Sequence, residues 1–330
     1  MNYKITIFFA FIVFCATYTL MEKREAELHN YKVYKFNKLR LAAVKKKKEI
    51  KQKKYINDYC KKIDKYFKKY GWGKSQCNQY KWMHVRNSVK GTPLIWYVYG
   101  DEKKHKQIPL NMTLIMCGVH GDEITPIKFC FDTLNYLGKK KDNTESSLVV
   151  VAPIVNPDSF FKKRPTRVNN NGVDINRNFI TKDWKKSAIR LWKQRYSSDK
   201  RRFPGTRPGS EPEVVFQMNL IKRYRPNKII SVHAPLTILD YDGPTYLAHG
   251  KGANKLLKEM SRKAKGYKVK NYPFFPGSLG NWAGNERKIP TYTLELPSSD
   301  NRFSKKYWNQ FKEAIQTAIF SDLRLSLKRP

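Results

Sequence analysis

From about residue 81 onward, short apolar runs alternate with longer segments whose apolar residues recur at helical spacing. Met112–Cys117, Leu148–Pro153, Ile229–Val232 and Thr291–Glu295 are short apolar or β-branched runs, the pattern of strands covered on both faces. Trp82–Arg86 and Leu94–Tyr99 read as two more strands around a turn at Lys90-Gly91-Thr92-Pro93. Pro126–Leu137, Glu211–Tyr224, Asn254–Lys265 and Phe303–Leu323 read as helices. Strands and helices in alternation predict an α/β fold: a single domain over residues 81–330, with a mixed central β-sheet flanked by helices.

Upstream, the pattern changes. Tyr55, Ile56, Tyr59, Ile63, Tyr66, Phe67 and Tyr70 recur at helical spacing, which predicts a helix packing one aromatic face on the main domain. Residues 21–80 hold 19 Lys or Arg against 6 Asp or Glu, including the block Lys45–Lys48, so this is a basic helical N-terminal extension. In residues 1–20, Lys4 precedes an apolar run from Ile5 to Leu20, short for a membrane span. It reads as a signal peptide or a retained membrane anchor, although no small-x-small cleavage pair follows. The expected location is periplasmic or otherwise associated with the cell envelope.

Charge sharpens the choice of partners. The 330 residues include 66 Lys plus Arg against 27 Asp plus Glu, a formal net charge of +39, with a globular share of 40% hydrophobic residues. Such a balance favours polyanions. The chain has no zinc-finger spacing, ribonucleoprotein motif or basic–aromatic repeat, so no specific nucleic acid is expected. An anionic wall polymer or membrane surface suits the basic extension, and a solvated lysine-rich surface is the plain alternative. The five cysteines lack paired metal-ligand spacing. Cys60 and Cys77 would bridge a short loop in an exported chain, whereas Cys117 and Cys130 read as buried free thiols.

Four segments carry chemistry: Gly118-Val119-His120-Gly121-Asp122-Glu123, Gly172-Val173-Asp174-Ile175-Asn176-Arg177-Asn178-Phe179, Ser231-Val232-His233-Ala234-Pro235-Leu236 and Thr293-Leu294-Glu295-Leu296-Pro297. They supply two imidazoles, two carboxylates and an arginine. A catalytic zinc takes three protein ligands and keeps one position open, and a nearby Glu serves as general base. His-x-x-Glu alone is a weak signal; here it follows an apolar run and so falls at a strand end, where α/β sheets place ligands. In this order the four segments resemble the metallocarboxypeptidase family typified by pancreatic carboxypeptidase A. The resemblance implies one Zn2+ on His120, Glu123 and His233. It makes Glu295 the general base, Asn176 and Arg177 the holders of a substrate carboxylate, and Arg167 a stabiliser of the oxyanion.

A narrower resemblance concerns the substrate. His233-Ala234-Pro235-Leu236 with Asp240 soon after, then Gly277-Ser278-Leu279-Gly280-Asn281-Trp282, is similar to murein peptide amidases and related DL-carboxypeptidases of bacterial envelopes. It implies peptidoglycan peptides as substrates and cleavage between γ-D-glutamate and meso-diaminopimelate, tripeptide to dipeptide. Asp240 is the expected partner of the distal ammonium. The mobile tyrosine of digestive family members has no matching motif; Tyr241, Tyr246 and Tyr272 are the candidates. Rival readings are a carboxypeptidase on ordinary peptides, an N-acyl amino acid deacylase, a family member that binds without turnover, and a polyanion-binding protein that is not an enzyme.

Overall fold

A computed structural model describes residues 3–140, 146–243 and 252–323. By compactness the chain divides into two units, Met1–Asp58 and Tyr59–Pro330. The first helix, α1 (Tyr3–Lys69), spans this division. Among the described residues no helix is long and apolar enough to cross a membrane.

The compact unit that begins at Tyr59 takes in the last turns of α1. The cause is the aromatic face read from the sequence: Tyr59, Ile63 and Phe67 are buried. Phe67 meets Phe131 and Trp72 edge-on at 4.9 and 5.2 Å between ring centres. Burying a side chain of this size stabilises the fold by roughly 1.5–3 kcal/mol, so the last turns of α1 are integral to the unit they pack on. A disulfide between Cys60 and Cys77 ties the same stretch of helix to the chain that follows it.

Among the described residues the main unit is built on a seven-stranded sheet in the order β1-β2-β4-β3-β5-β7-β6. Its strands are β1 (Met83–Asn87), β2 (Pro93–Tyr99), β3 (Asn111–Cys117), β4 (Ser147–Ala152), β5 (Lys228–His233), β6 (Ile238–Asp242) and β7 (Thr291–Glu295). β4, β3, β5 and β7 are parallel neighbours, while β1, β2 and β6 run antiparallel to theirs. Between the strands lie α2 (Glu102–Gln107), α3 (Ile124–Lys139), a four-residue turn α4 (Pro157–Phe160), α5 (Trp184–Arg195), α6 (Pro212–Tyr224) and α7 (Ala253–Lys263), with α8 (Ser304–Phe320) after β7. Both faces of the parallel strands are covered, which is why they read as unbroken apolar runs. Leu114 and Met116 share a core with Phe216 and Leu220 of α6. On the opposite face the Thr113 hydroxyl donates to the Ile319 carbonyl of α8.

This layout sets the position of the chemistry. β3, β5 and β7 are parallel, so their carboxyl ends open on one edge of the sheet. The His120 loop leaves β3 there, His233 is the last residue of β5, and Glu295 is the last of β7 and lies in register with His233.

Cys117 and Cys130 are not free thiols. They form a second disulfide with Cα atoms 6.2 Å apart, because α3 folds back along β3 and brings its second turn beside the strand's last residue.

Candidate active site

Two of the three possible metal ligands come from the turn between β3 and α3. Gly121 sits there against the backbone of Ser159 and Phe160, where a Cβ would collide, so only glycine lets the loop lie this close. His120, Glu123 and His233 are all buried, and their ligand atoms lie within 4.8 Å of one another. Glu123 receives both imidazoles: His120 Nδ1 lies 2.6 Å from its Oε1 and His233 Nδ1 2.9 Å from its Oε2. Burial raises the Glu123 carboxyl, but the two histidines outweigh it and hold the group below the usual carboxylate range. Two imidazole nitrogens converging on a buried carboxylate are the donor set a catalytic zinc takes, so the residues fit that ion.

The outer nitrogens are anchored as well. His120 Nε2 lies 3.1 Å from Asp174 Oδ1, and His233 Nε2 lies 2.8 Å from Ser231 Oγ. Such partners orient the ring and select its tautomer. Asp174 also accepts from Arg167 Nε at 2.9 Å, while Arg167 Nη1 reaches Glu123 at 3.3 Å. Burial pushes Asp174 up, yet Arg167 and His120 beside it keep it well below the ordinary carboxylate value. Sequence reasoning assigned no role to Asp174 or Ser231. Both stand inside the quoted motifs, close to the residues that drew attention.

Asp174 is delivered by the turn at Asn169–Gly172, closed by a bond from Gly172 N to Asn169 O at 3.1 Å. Asn169 Nδ2 donates to Glu211 and Glu213 at 2.7 and 3.0 Å. Glu213 is fully buried, and burial raises its carboxyl to about 7. A raised acid holds its proton in the folded state after the unfolded chain has lost it, so its stabilising contribution is complete below about pH 4.5 and fades as pH rises through about 7. Glu213→Gln is therefore expected to lose less stability than the parent between pH 5 and 8, by about 2–3 kcal/mol, measured by urea denaturation at both values. Parallel pH curves for the two proteins would contradict this.

Arg177 and Asn176 stand beside this cluster. Arg177 Nη1 donates to the Asn176 carbonyl at 2.7 Å, its guanidinium lies 4.7 Å from the Phe275 ring centre, and its buried Nε has no partner among the described residues. Burial lowers its pKa, Asp174 offsets part of that, and Arg167 adds repulsion. No carboxylate pairs with it among the described residues. The Asn176 Oδ1 accepts from Leu279 N at 2.9 Å, so the donor of this amide is its Nδ2.

Glu295 closes the site. Its Oε2 accepts from Leu236 N at 3.3 Å. Burial raises the carboxyl, His233 works against this, and the charge of Glu123 adds to it.

Asp240 lies on β6, the strand next to β7. On β6, Ile238 is opposite Glu295 and Asp240 opposite Thr293. Residues directly opposite share a sheet face and alternate residues stay on it, so Asp240 and Asp242 lie on the face that carries Glu295. Asp240 is set back from Ile238 by about 7 Å along the strand. Its Oδ1 accepts from Tyr272 N at 3.1 Å. Asp242 had no role in the sequence reading. Burial and the charge of Asp240 raise it to about 7, and no donor meets its carboxylate among the described residues. Gly280, in the helical turn Gly280–Asn285, lies against that carboxylate so closely that a Cβ would overlap it. Of the tyrosine candidates, Tyr241 stacks near Tyr292 with ring centres 5.2 Å apart, Tyr272 offers its backbone to Asp240, and Tyr246 lies outside the described residues.

The zinc carboxypeptidase family profile matches residues 74–318, a span that contains all the residues of this site. The chain belongs to the zinc carboxypeptidase family. Murein peptide amidase A of Escherichia coli (strain K12) is 30% identical over 228 residues, covering 68% of this chain and 85% of the relative. Murein peptide amidase A of Vibrio campbellii is 31% identical over 215 residues, covering 64% of this chain and 77% of the relative. Among solved structures, murein-tripeptide amidase from Escherichia coli O157 aligns with a TM-score of 0.50 at 27% identity, covering 72% of this chain and 91% of that one. Carboxypeptidase A from Helicoverpa armigera aligns with a TM-score of 0.61 at 16% identity, covering 75% of this chain and 70% of that one; at that identity the likeness speaks for the fold. As a family member this chain is a metallopeptidase, and zinc is the metal its family implies.

Proposed function

We propose that the chain hydrolyses the bond between γ-D-glutamate and meso-diaminopimelate in murein peptides, turning tripeptide into dipeptide. The carrying observation is Arg177: a half-buried arginine whose buried Nε has no partner and with which no acid pairs among the described residues, beside a His–Glu–His set and a buried Glu. Such a cation calls for an anion from the substrate, and a terminal carboxylate meets a guanidinium fork with two parallel bonds. The Asn176 amide adds a further donor. The likeness to murein peptide amidases supports the choice of wall peptides.

In this reading His120, Glu123 and His233 hold the zinc, which when bound supplies a Lewis acid and acidifies water. Glu295 accepts a proton from the attacking water and passes it to the leaving amine. Arg167, held by Asp174, stabilises the negative charge that develops on the scissile carbonyl oxygen. Diaminopimelate brings a second ammonium, and Asp240 with Asp242 forms the anionic wall we assign to it. An exported location is supported by the two disulfides, which persist in oxidising compartments. For the basic extension, charge alone suggests an anionic wall polymer or membrane surface.

Mass-spectrometric digestion of wall tri-, tetra- and pentapeptides tests this. Diaminopimelate is expected from the tripeptide. Asp242→Asn is expected to lower kcat/KM for diaminopimelate-terminated peptide by about 10- to 100-fold and to leave alanine-terminated peptides unaffected. Equal losses on both would remove Asp242 from side-chain recognition. Release of ordinary C-terminal residues with no cleavage of any wall peptide would discard the wall assignment and keep the peptidase.

A further inference from the structure

The Cys117–Cys130 disulfide encloses the turn that carries two of the three possible zinc ligands. Cys117 ends β3, the turn runs through His120 and Glu123, and α3 begins at Ile124 with Cys130 in its second turn. The sulfur atoms join residues 13 apart in sequence. Both cysteines are fully buried.

The two ends of this turn are held differently. On the strand side, Cys117 pairs with Val232 of β5, immediately before His233. Bonds from Val155 N to Cys117 O at 3.0 Å and from Asn156 N to Gly118 O at 2.8 Å secure the same end. That end is therefore in fixed register with the third ligand. On the helix side, Glu123 is the residue before α3, its side chain caps no helix N–H, and its own N–H makes a long bond of 3.3 Å to His120 O. Polar bonds reach α3 from elsewhere, from Thr125 Oγ1 to the Ser298 carbonyl at 2.6 Å and from the Tyr80 hydroxyl to Asn135 Oδ1. Among the described residues no side-chain hydrogen bond joins it to β3, and a metal site does not tolerate a helix that shifts by fractions of an ångström against the strand. The disulfide couples α3 covalently to the strand end that is in register with His233.

We propose that Cys117 and Cys130 are positioning residues of the metal site: their bond holds Glu123, on the helix side, at ligand distance from His120 and His233. The proposal rests on the reading of those three residues as zinc ligands. The molecule contains its own control, since Cys60–Cys77 staples the end of α1 and encloses no ligand.

The test compares full-length wild type with Cys117→Ala/Cys130→Ala and Cys60→Ala/Cys77→Ala. Zinc affinity is measured by competition with a chromogenic chelator, and unfolding temperature with and without zinc. Loss of Cys117–Cys130 is expected to weaken zinc binding about tenfold, in the range found for residues that orient metal ligands, and to shrink the rise in unfolding temperature that zinc produces. Loss of Cys60–Cys77 is expected to lower the unfolding temperature and leave zinc affinity at the wild-type value. If the alanine pair at 117 and 130 does not fold, Cys117→Ala/Cys130→Val restores apolar volume and carries the same expectation. Unchanged zinc affinity without Cys117–Cys130, or an equal loss without either bridge, overturns the proposal. A wild-type chain that binds no zinc overturns the ligand reading itself, an outcome distinct from a failure confined to the variants.

Discussion

Glu295→Gln is expected to lower kcat by about 10³-fold or more, while zinc remains bound at full stoichiometry. The magnitude follows from general acid–base catalysis, which contributes up to about 10⁴ when one group serves both proton transfers. Glu295 suits that work by placement. It ends β7 in register with His233, and it keeps one backbone donor, Leu236 N. Burial raises its carboxyl, His233 works against this and the charge of Glu123 adds to it, and a raised carboxyl is the stronger proton acceptor. The amide of Gln still accepts from Leu236 N but has no basic oxygen to take a proton. It also removes a buried charge, so the unfolding temperature should not fall. Turnover and metal content measured on one preparation decide the matter: near-normal turnover in the variant would end the assignment.

The second large effect is on the metal. His233→Ala is expected to weaken zinc binding by more than about 100-fold, above the usual range for losing a group that merely orients a ligand, and to abolish activity at stoichiometric zinc. Ser231→Ala removes only the partner of His233 Nε2 and is expected to cost about tenfold in affinity. The gradient between the two is the informative quantity. It separates a ring that donates to the metal from a ring that happens to be buried near a carboxylate, because in the second case both substitutions would leave zinc binding alike. Retention of one zinc at parental affinity by His233→Ala would exclude it as a ligand.

Much of the fold was legible locally. β3, β4, β5 and β7 are apolar runs because both their faces are covered, and a doubly buried strand advertises itself in any window that contains it. β6 was missed because Ile238-Leu239-Asp240-Tyr241-Asp242 puts two carboxylates on one face, a pattern that reads as turn or loop until the site it borders is known. α5 was missed because Trp184–Arg195 buries little besides Trp184 and Ala188, so its periodicity is carried by cations. The aromatic face of Tyr59–Tyr70 was visible, but not that its partners are Phe131 and Phe161, from distant parts of the chain.

By itself the sequence determined the chemistry available: which side chains could bind zinc, move a proton or hold a carboxylate, and that they fall at or beyond the ends of strands. Those are properties of residue types and short-range pattern. The tertiary structure decided what each is held by. Parallel strand order puts His233 opposite Glu295, the return of the chain through the Asn169 turn sets Asp174 against both His120 and Arg167, and α3 lying back along β3 turns two unremarkable cysteines into a bridge around the ligand turn. Contacts between residues far apart in sequence arise from packing, and no local window of the chain contains the information that brings them together.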